Sequence, residues 1–132
     1  MLAKRKAPTR EQQAYQDAAR ELGCVVCRYR MAKGMQRVGD FCGWTQIHHR
    51  NLGDYHGQKQ LGQDAVVALG AWHHDGVLTF GVSSNEMRER YGPSFKHAAD
   101  FREWTYDALP GYGRGTEAWQ KYQDELLGDS WK

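Results

Sequence analysis

Two pairs of adjacent histidines, His48-His49 and His73-His74, are the residues of this chain best suited to chemistry. Imidazole titrates near neutral pH, so a histidine can accept a proton from water, and its neutral form can bind a divalent metal. Each pair follows a short segment with the composition of a strand. Packing alone gives little reason for a polar doublet at the end of a strand, so we expect both pairs to belong to a functional site.

The chain has three cysteines, Cys24, Cys27 and Cys42. An odd number of cysteines, without a secretory signal in the basic start of the chain, argues against a disulfide framework. The Cys24-x-x-Cys27 spacing is typical of a metal-binding knuckle. The sequence has no stretch of about 18 apolar residues, so no membrane span is expected. We therefore expect a cytoplasmic protein whose cysteines bind a metal.

Basic residues are concentrated at the start of the chain. The net charge is only +2, but residues 1–37 hold nine Lys and Arg against three Asp and Glu. Such a segment can contact nucleic-acid phosphates, or it can be a solvated tail, and we expect residues 1–10 to be flexible. The candidate DNA-binding residues are Lys4, Arg5, Lys6, Arg28, Arg30, Lys33, Arg37 and Arg50.

The elements that position these residues are helices and short strands, which predicts a single α+β domain over residues 11–132. Thr9 and Gln12 can form a capping box, and Gly23 can end the helix that it opens. Ser83 and Glu86 can open a second helix in the same way. The sequence predicts helices over residues 10–22, 70–75, 83–91, 95–109 and 116–127, strands over 38–47 and 65–69, a basic turn over 28–37, and a long glycine-rich loop over 50–64.

The order of a histidine pair, a long loop, an apolar strand and a second histidine pair resembles the ββα-metal motif of the HNH, or His-Me finger, nucleases. The resemblance implies that His48 binds a divalent metal and that His49 is the general base that activates water. It implies that His74 is the second ligand of the catalytic metal. Mg²⁺ or Mn²⁺ is the implied ion, which neutralises charge on the scissile phosphate.

Four motifs extend the resemblance over residues 21–92: ELGCVVC, QIHHR, VVALGAWHHDG and EMRERYG. In this order they are similar to the phage recombination-enhancement nucleases, a RecA-dependent family. The resemblance implies a phage or prophage endonuclease that acts on single-stranded DNA or a recombination intermediate, directed by a RecA-type recombinase filament. It also implies a zinc knuckle over residues 24–47, a ββα core over 44–80 and C-terminal helices over 83–127.

One departure from the family concerns the structural zinc. Family members carry a cysteine ligand after the leucine of the second strand, where this chain has Gly70. We expect Cys42 to replace that ligand. Cys24, Cys27, Cys42 and His73 would then bind Zn²⁺ as a tetrahedral set.

Other departures concern the catalytic metal. The asparagine that gives HNH its middle letter would lie before the second strand, where this chain has Asp64, and Asp64 is the candidate to tie the loop in its place. A helix histidine four residues after His74 would be a third ligand, but that residue is Leu78. Asp75, His56 or water can fill the position, and water is favoured because Mg²⁺ retains several waters.

Two classes of function therefore remain open. The first is a metal-dependent DNA endonuclease. The second is a zinc-stabilised DNA- or protein-binding module whose nuclease site has decayed. The departures at Gly70 and at Asp64-Ala65, where the motif has its asparagine, support this second class.

Overall fold

The protein is described from a computed structural model, which covers residues 6–54 and 59–132. Lys4, Arg5 and His56 lie outside the described residues. The described residues have the predicted α+β class, with six α-helices and one two-stranded antiparallel sheet. The helices are α1 (Arg10–Leu22), α2 (Val25–Ala32), α3 (Ala71–Asp75), α4 (Ser84–Tyr91), α5 (Ala98–Ala108) and α6 (Gly115–Leu127); the strands are β1 (Thr45–His49) and β2 (Val66–Gly70), and a 3₁₀ turn covers Leu52–Asp54.

Two helices begin where the sequence predicts. The Thr9 hydroxyl accepts a hydrogen bond from the Gln12 N–H, and the Gln12 side chain accepts one from the Thr9 N–H, so the capping box of α1 forms. The helix then ends at Gly23, which has a φ of 86°, a value that glycine adopts without a steric penalty. At the start of α4 the Ser83 hydroxyl accepts from the Glu86 N–H.

Helix α2 corrects the turn predicted over residues 28–37. The helix continues to Ala32, and only the residues after it form turns. A helix of eight residues is marginal on its own, so its stability comes from packing. Tyr29 supplies that packing: its ring is buried against Trp119 and its hydroxyl donates to the Ala108 carbonyl at 3.0 Å.

The sheet is a hairpin in which β1 pairs with β2 from Thr45 opposite Gly70 to His49 opposite Val66. Every residue of β2 is buried. The edge of β2 that β1 leaves unpaired is covered by Gln123 of α6, which is itself fully buried. Its amide oxygen accepts from the Ala68 N–H at 2.9 Å and its amide nitrogen donates to the Val66 carbonyl at 3.0 Å.

The hydrophobic core lies between the hairpin, α2, α5 and α6. The Trp119 ring stacks on Trp104 with centroids 5.5 Å apart, and Phe101 and Leu69 are fully buried beside it. These aromatic residues are core residues, as their helical spacing predicts. Among the described residues, no helix has the length and apolar character needed to cross a membrane.

The loop between the strands is fastened to α6. Asn51 and Gln60 form an isolated antiparallel bridge, so the described ends of the loop run side by side. Asp54 has a φ of 65°, a left-handed conformation that costs energy for a residue other than glycine. Its carboxylate accepts from the Thr116 N–H at 2.8 Å and from the Thr116 hydroxyl, which holds the loop against the first turn of α6.

Candidate functional site

The first candidate site is a cluster of four fully buried side chains, Cys24, Cys27, Cys42 and His73. The Cys24-x-x-Cys27 pair lies at the start of α2, Cys42 precedes β1, and His73 lies on α3. Their ligand atoms all lie within 4.8 Å of one another. The sequence prediction that Cys42 joins the other three residues is therefore confirmed as a geometric grouping.

The distances within this cluster fit a tetrahedral zinc ion. His73 Nδ1 lies 3.1 Å from Cys42 Sγ, 3.4 Å from Cys24 Sγ and 3.7 Å from Cys27 Sγ. Usual zinc–sulfur and zinc–nitrogen bond lengths place tetrahedral S and N ligands about 3.5 Å apart. The donor set, three sulfurs and one imidazole, is also one that zinc prefers, so the cluster can hold a structural zinc ion.

The orientation of His73 suits a metal ligand. Its Nε2 lies 2.7 Å from the Tyr91 carbonyl, which can only accept, so Nε2 carries the proton and donates. The neutral ring then directs the lone pair of Nδ1 at the three sulfurs. Tyr91 is thus the outer partner that fixes the tautomer, and nothing in the sequence identified it for that role.

Without a metal, the cluster redistributes charge among its own groups. Burial lowers the pKa of His73, but the opposing effect of the neighbouring Cys42 and Cys27 side chains is larger, and together they raise this pKa to about 10. Hydrogen bonds from Cys24 and Cys42 lower the pKa of the Cys27 thiol, whereas burial raises that of Cys24 well above its ordinary value. A thiolate held beside a protonated imidazole is the arrangement that a metal cation would replace.

The space beside Gly70 is taken by the thiol of Cys42. A Cβ atom at residue 70 would lie 2.4 Å from Cys42 Sγ and 3.4 Å from Cys24 Cβ. The Cys42 thiol therefore occupies the space that a side chain at residue 70 would enter. A cysteine at residue 70 and the thiol of Cys42 are alternatives for one position, and this chain uses Cys42.

The second candidate site is formed by His48 and His74. His48 Nδ1 and His74 Nε2 lie 3.1 Å apart, and both rings are half-buried. The two residues come from adjacent elements, β1 and α3, and the edge of the Phe95 ring packs on His48 at 5.1 Å. The hairpin and helix thus bring together one histidine of each sequence doublet, as predicted.

A glutamine that the sequence analysis missed orients His74. The Gln46 side-chain oxygen contacts His74 Nδ1, and Asp75 Oδ2 lies 3.4 Å from the same atom. Both partners accept, so Nδ1 carries the proton and the lone pair of Nε2 points at His48. Gln46 lies two residues before His48 in β1, and strand periodicity alone would have placed both side chains on one face.

Both histidines of this pair are neutral at physiological pH. Burial, followed by the charges of His74, His49 and Arg50, lowers the pKa of His48 to about 4. Burial also lowers the pKa of His74, against the opposing effect of Asp75. A neutral imidazole has a lone pair ready for a cation, so the pair can bind a divalent metal without first releasing a proton.

The pair opens onto a cavity of about 770 Å³ between α3 and α5. Among the described residues, its wall contains two histidines, two carboxylates and two cations, together with small and aromatic side chains. The lining residues are His48, Asp54, His74, Asp75, Phe95, Lys96, Ala98 and Arg102.

His49, the predicted general base, does not line this cavity. It follows His48 in β1, and successive side chains of a strand point to opposite faces. Its Nδ1 atom is buried. The catalytic role of His49 therefore stays a prediction, and the position of its ring gives that role less support than His48 and His74 receive.

No described His, Cys, Asp or Glu supplies a third ligand for a metal bound to His48 and His74. None of these residues brings a ligand atom within 4.8 Å of both histidine nitrogens. Asp75 lies on the Nδ1 side of His74, away from His48. The expectation of water is unchanged. Asp64, the candidate to tie the loop, accepts from Gln12 at 3.2 Å through its side chain and from Gln120 at 2.6 Å through its carbonyl. These bonds fasten the loop to α1 and α6.

Three of the predicted DNA-binding arginines have partners within the fold. Arg28 donates to the Leu22 carbonyl and lies over the Phe41 ring, and Arg30 donates to Gln36. Arg50, the third, donates to Thr116 and Gln120. Lys6, Lys33 and Arg37 are exposed, and all of the DNA-binding assignments stay predictions.

Comparisons with protein-family models, with curated proteins and with solved structures found no match to this chain. The resemblance stated from the sequence motifs therefore rests on those motifs alone.

Proposed function

We propose that this protein is a metal-dependent DNA endonuclease of the HNH type, which hydrolyses phosphodiester bonds and is directed to its target by a RecA-type recombinase filament. The observation that carries the proposal is the His48–His74 pair. Two neutral imidazole nitrogens lie 3.1 Å apart at the wall of an open cavity, on the strand and the helix that the ββα-metal motif requires.

In this proposal, the Nδ1 atom of His48 and the Nε2 atom of His74 bind one divalent ion. When bound, that ion supplies charge neutralisation at the scissile phosphate. Gln46 keeps the His74 ring in its ligand orientation, as outer partners of metal-binding histidines commonly do. Phe95 packs on His48 and limits its rotation.

The donor set bears on the choice of metal. Imidazole nitrogens are ligands of first-row transition metals, whereas Mg²⁺ prefers oxygen ligands and keeps its waters. Of the two candidates, Mn²⁺ therefore fits His48 and His74 better than Mg²⁺. We expect higher cleavage rates with Mn²⁺ at equal concentration.

Two residues compete for the role of general base. His49 has it by resemblance to the nuclease motif. Asp75 is an exposed carboxylate at the cavity wall, beside His74. The other carboxylate of the wall, Asp54, already accepts two hydrogen bonds from Thr116, which tie it to the start of α6.

The Cys24–Cys27–Cys42–His73 cluster has a supporting role in this proposal. It binds a structural Zn²⁺, and its histidine is the neighbour of His74 on the short helix α3. Because a helix of five residues has little stability of its own, a zinc ion on His73 would fix the position of His74.

The experiment is a cleavage assay on plasmid and single-stranded DNA, with Mg²⁺ or Mn²⁺, and with or without a recombinase filament. We expect His48→Ala and His74→Ala to abolish both cleavage and binding of the catalytic ion. Loss of the base should slow cleavage about a hundredfold or more while metal binding stays, so His49→Ala and Asp75→Asn identify which residue it is. His97→Ala is the matched control, since His97 is exposed and outside the cavity wall.

A second candidate function is a zinc-stabilised module that binds DNA or protein without cutting it. The position of His49 outside the cavity wall favours it. Intact, salt-sensitive DNA binding with no cleavage under any metal condition would support this module and contradict the nuclease proposal.

A further inference from the structure

The cavity beside His48 and His74 has two cations in its wall that the sequence motifs did not identify. Lys96 precedes α5, and Arg102 lies on it. Both line the same cavity as the two histidines. Among the described residues, none of those predicted to bind DNA lines this cavity.

Lys96 is held in a fixed position relative to the helix that carries His74. The Phe95 N–H donates to the His73 carbonyl at 2.8 Å, and the Ser94 hydroxyl donates to the Trp72 carbonyl at 2.6 Å. The Lys96 stem then packs over Gly76, where an added Cβ would lie 2.9 Å from Lys96 Cδ. Its ammonium group is carried on an exposed side chain.

Arg102 is positioned by the next element. Ala98 and Arg102 are four residues apart on α5, so they share a face, and both line the cavity. The neighbouring Phe101 is fully buried in the core, which anchors this turn of the helix. The Arg102 side chain is half-buried, so its guanidinium is less free to move than one on an exposed stem.

Ala98 lines the same cavity as the two cations, and its small side chain takes up little of the space. An anion that enters beside the histidine pair would therefore be in a cavity whose wall includes both a lysine and an arginine. A phosphodiester has the charge and the acceptor oxygens for both contacts. A neutral ligand would gain only hydrogen bonds from these two side chains, and a cationic ligand would be repelled by both.

We propose that Lys96 and Arg102 are the phosphate-binding residues of this cavity and position a nucleic-acid strand along α5 next to His48 and His74. This inference rests on the proposed function for its substrate class. It assigns backbone positioning without sequence recognition, because phosphate contacts carry no base information. It also moves the expected DNA path from the N-terminal basic residues to α5.

The test is binding of a fluorescein-labelled single-stranded oligonucleotide to the full-length protein, by anisotropy over a salt series without added catalytic metal. The variants are Lys96→Glu and Arg102→Met, alone and together. The controls are Lys121→Ala and Arg20→Ala, which remove exposed cations outside the cavity. Melting curves show whether Arg102→Met still folds, and Lys96→Glu tests the proposal if it does not, because Lys96 is exposed.

We expect each cavity variant to weaken binding severalfold and the double variant by at least about tenfold. The slope of log Kobs against log salt should fall by about 0.7 for each cation lost, and the controls should retain wild-type affinity. Wild-type affinity and slope in both cavity variants would overturn the inference, and cleavage by the wild type would then leave the proposed nuclease intact. Weakened binding in these variants without wild-type cleavage would contradict the nuclease and retain the phosphate site. A wild-type protein that binds no oligonucleotide would overturn both.

Discussion

At the scale of the residue, Cys42 and Gly70 are a coupled pair. The Cys42 thiol lies where a Cβ at residue 70 would have to be, and both positions border the metal cluster. The backbone at Gly70 is extended, with φ −70° and ψ 163°, so a cysteine there would meet no conformational penalty. What prevents it is the thiol of Cys42.

We therefore expect strong non-additivity between substitutions at these two positions. Cys42→Ala should reduce zinc content by removing one ligand, and Gly70→Cys alone should destabilise the protein through overlap with Cys42. The double variant should recover zinc content and melting temperature, with a coupling free energy of about 1–3 kcal/mol in its favour. Metal analysis and melting curves of the four proteins measure this cycle.

Gly70→Ala is the control for the double variant, because it adds the same Cβ without a ligand. It should be destabilising beside Cys42, and in the Cys42→Ala background it should fit without restoring zinc. If the Gly70→Cys/Cys42→Ala protein binds no more zinc than Cys42→Ala, then residue 70 cannot present a thiolate to the cluster.

At the scale of the element, the unpaired edge of β2 determines how α6 must pack. A two-stranded sheet leaves each strand with one free edge, and the free edge of β2 is in the protein interior. Gln123 satisfies that edge with one donor and one acceptor. Tyr15 of α1 in turn accepts from the Gln123 amide at 2.9 Å, so three elements meet at one side chain.

We predict that Gln123→Ala lowers the free energy of unfolding by about 2–4 kcal/mol, because the Ala68 N–H and the Val66 carbonyl would stay buried without partners. Gln13→Ala, on the exposed side of α1, should change it by less than about 0.5 kcal/mol. Urea denaturation of the two variants makes the comparison. Equal stabilities would mean that water reaches the strand edge.

Helix boundaries were predictable where a local signal exists, and polar packing was not. Thr9 with Gln12 predicts where α1 begins, since both capping bonds form within four residues. In α6 the apolar Leu126 is 43% exposed, whereas the polar Gln123 is fully buried. A buried glutamine is determined by the strand that it covers, which lies more than fifty residues away in the sequence.

The residues of the candidate sites also divide into those that the sequence predicts and those that only the fold reveals. Residue chemistry identified the histidine doublets and the three cysteines, because those residue types are rare and their spacing is diagnostic. Gln46, Lys96 and Arg102 are ordinary residue types on a strand, a loop and a helix. Only the fold brings them to the histidine pair, so no sequence signal distinguishes them from other glutamines and cations.

At the scale of the whole molecule, the Cys24–Cys27–Cys42–His73 cluster joins the segments that build the core. Cys24 and Cys27 begin α2, Cys42 leads into the hairpin, and His73 belongs to α3. All four are fully buried, so a chain without the metal would leave thiols and an imidazole in the protein interior with only one another as partners. Buried polar groups of this kind oppose folding unless a cation organises them.

We predict that removal of zinc destabilises the entire fold rather than the cluster alone. Structural zinc contributes apparent binding free energies of about 10–16 kcal/mol in small zinc peptides. That range is comparable to the whole stability of a typical domain, about 5–15 kcal/mol. Even about 3 kcal/mol of it would lower the melting temperature of a chain of this size by about 10 °C.

The measurement is a set of melting curves by circular dichroism, before and after chelation and after return of Zn²⁺ or Mg²⁺. Zn²⁺ should restore the transition, whereas Mg²⁺ should not, because thiolates are poor ligands for Mg²⁺. Cobalt in place of zinc should give the absorption of a tetrahedral thiolate site, and Cys42→Ser should weaken it. A chelated protein that melts at the original temperature would show that the hydrophobic core alone holds these segments together. His74 would then owe its position to its contacts with Gln46 and His48 rather than to zinc on the neighbouring His73.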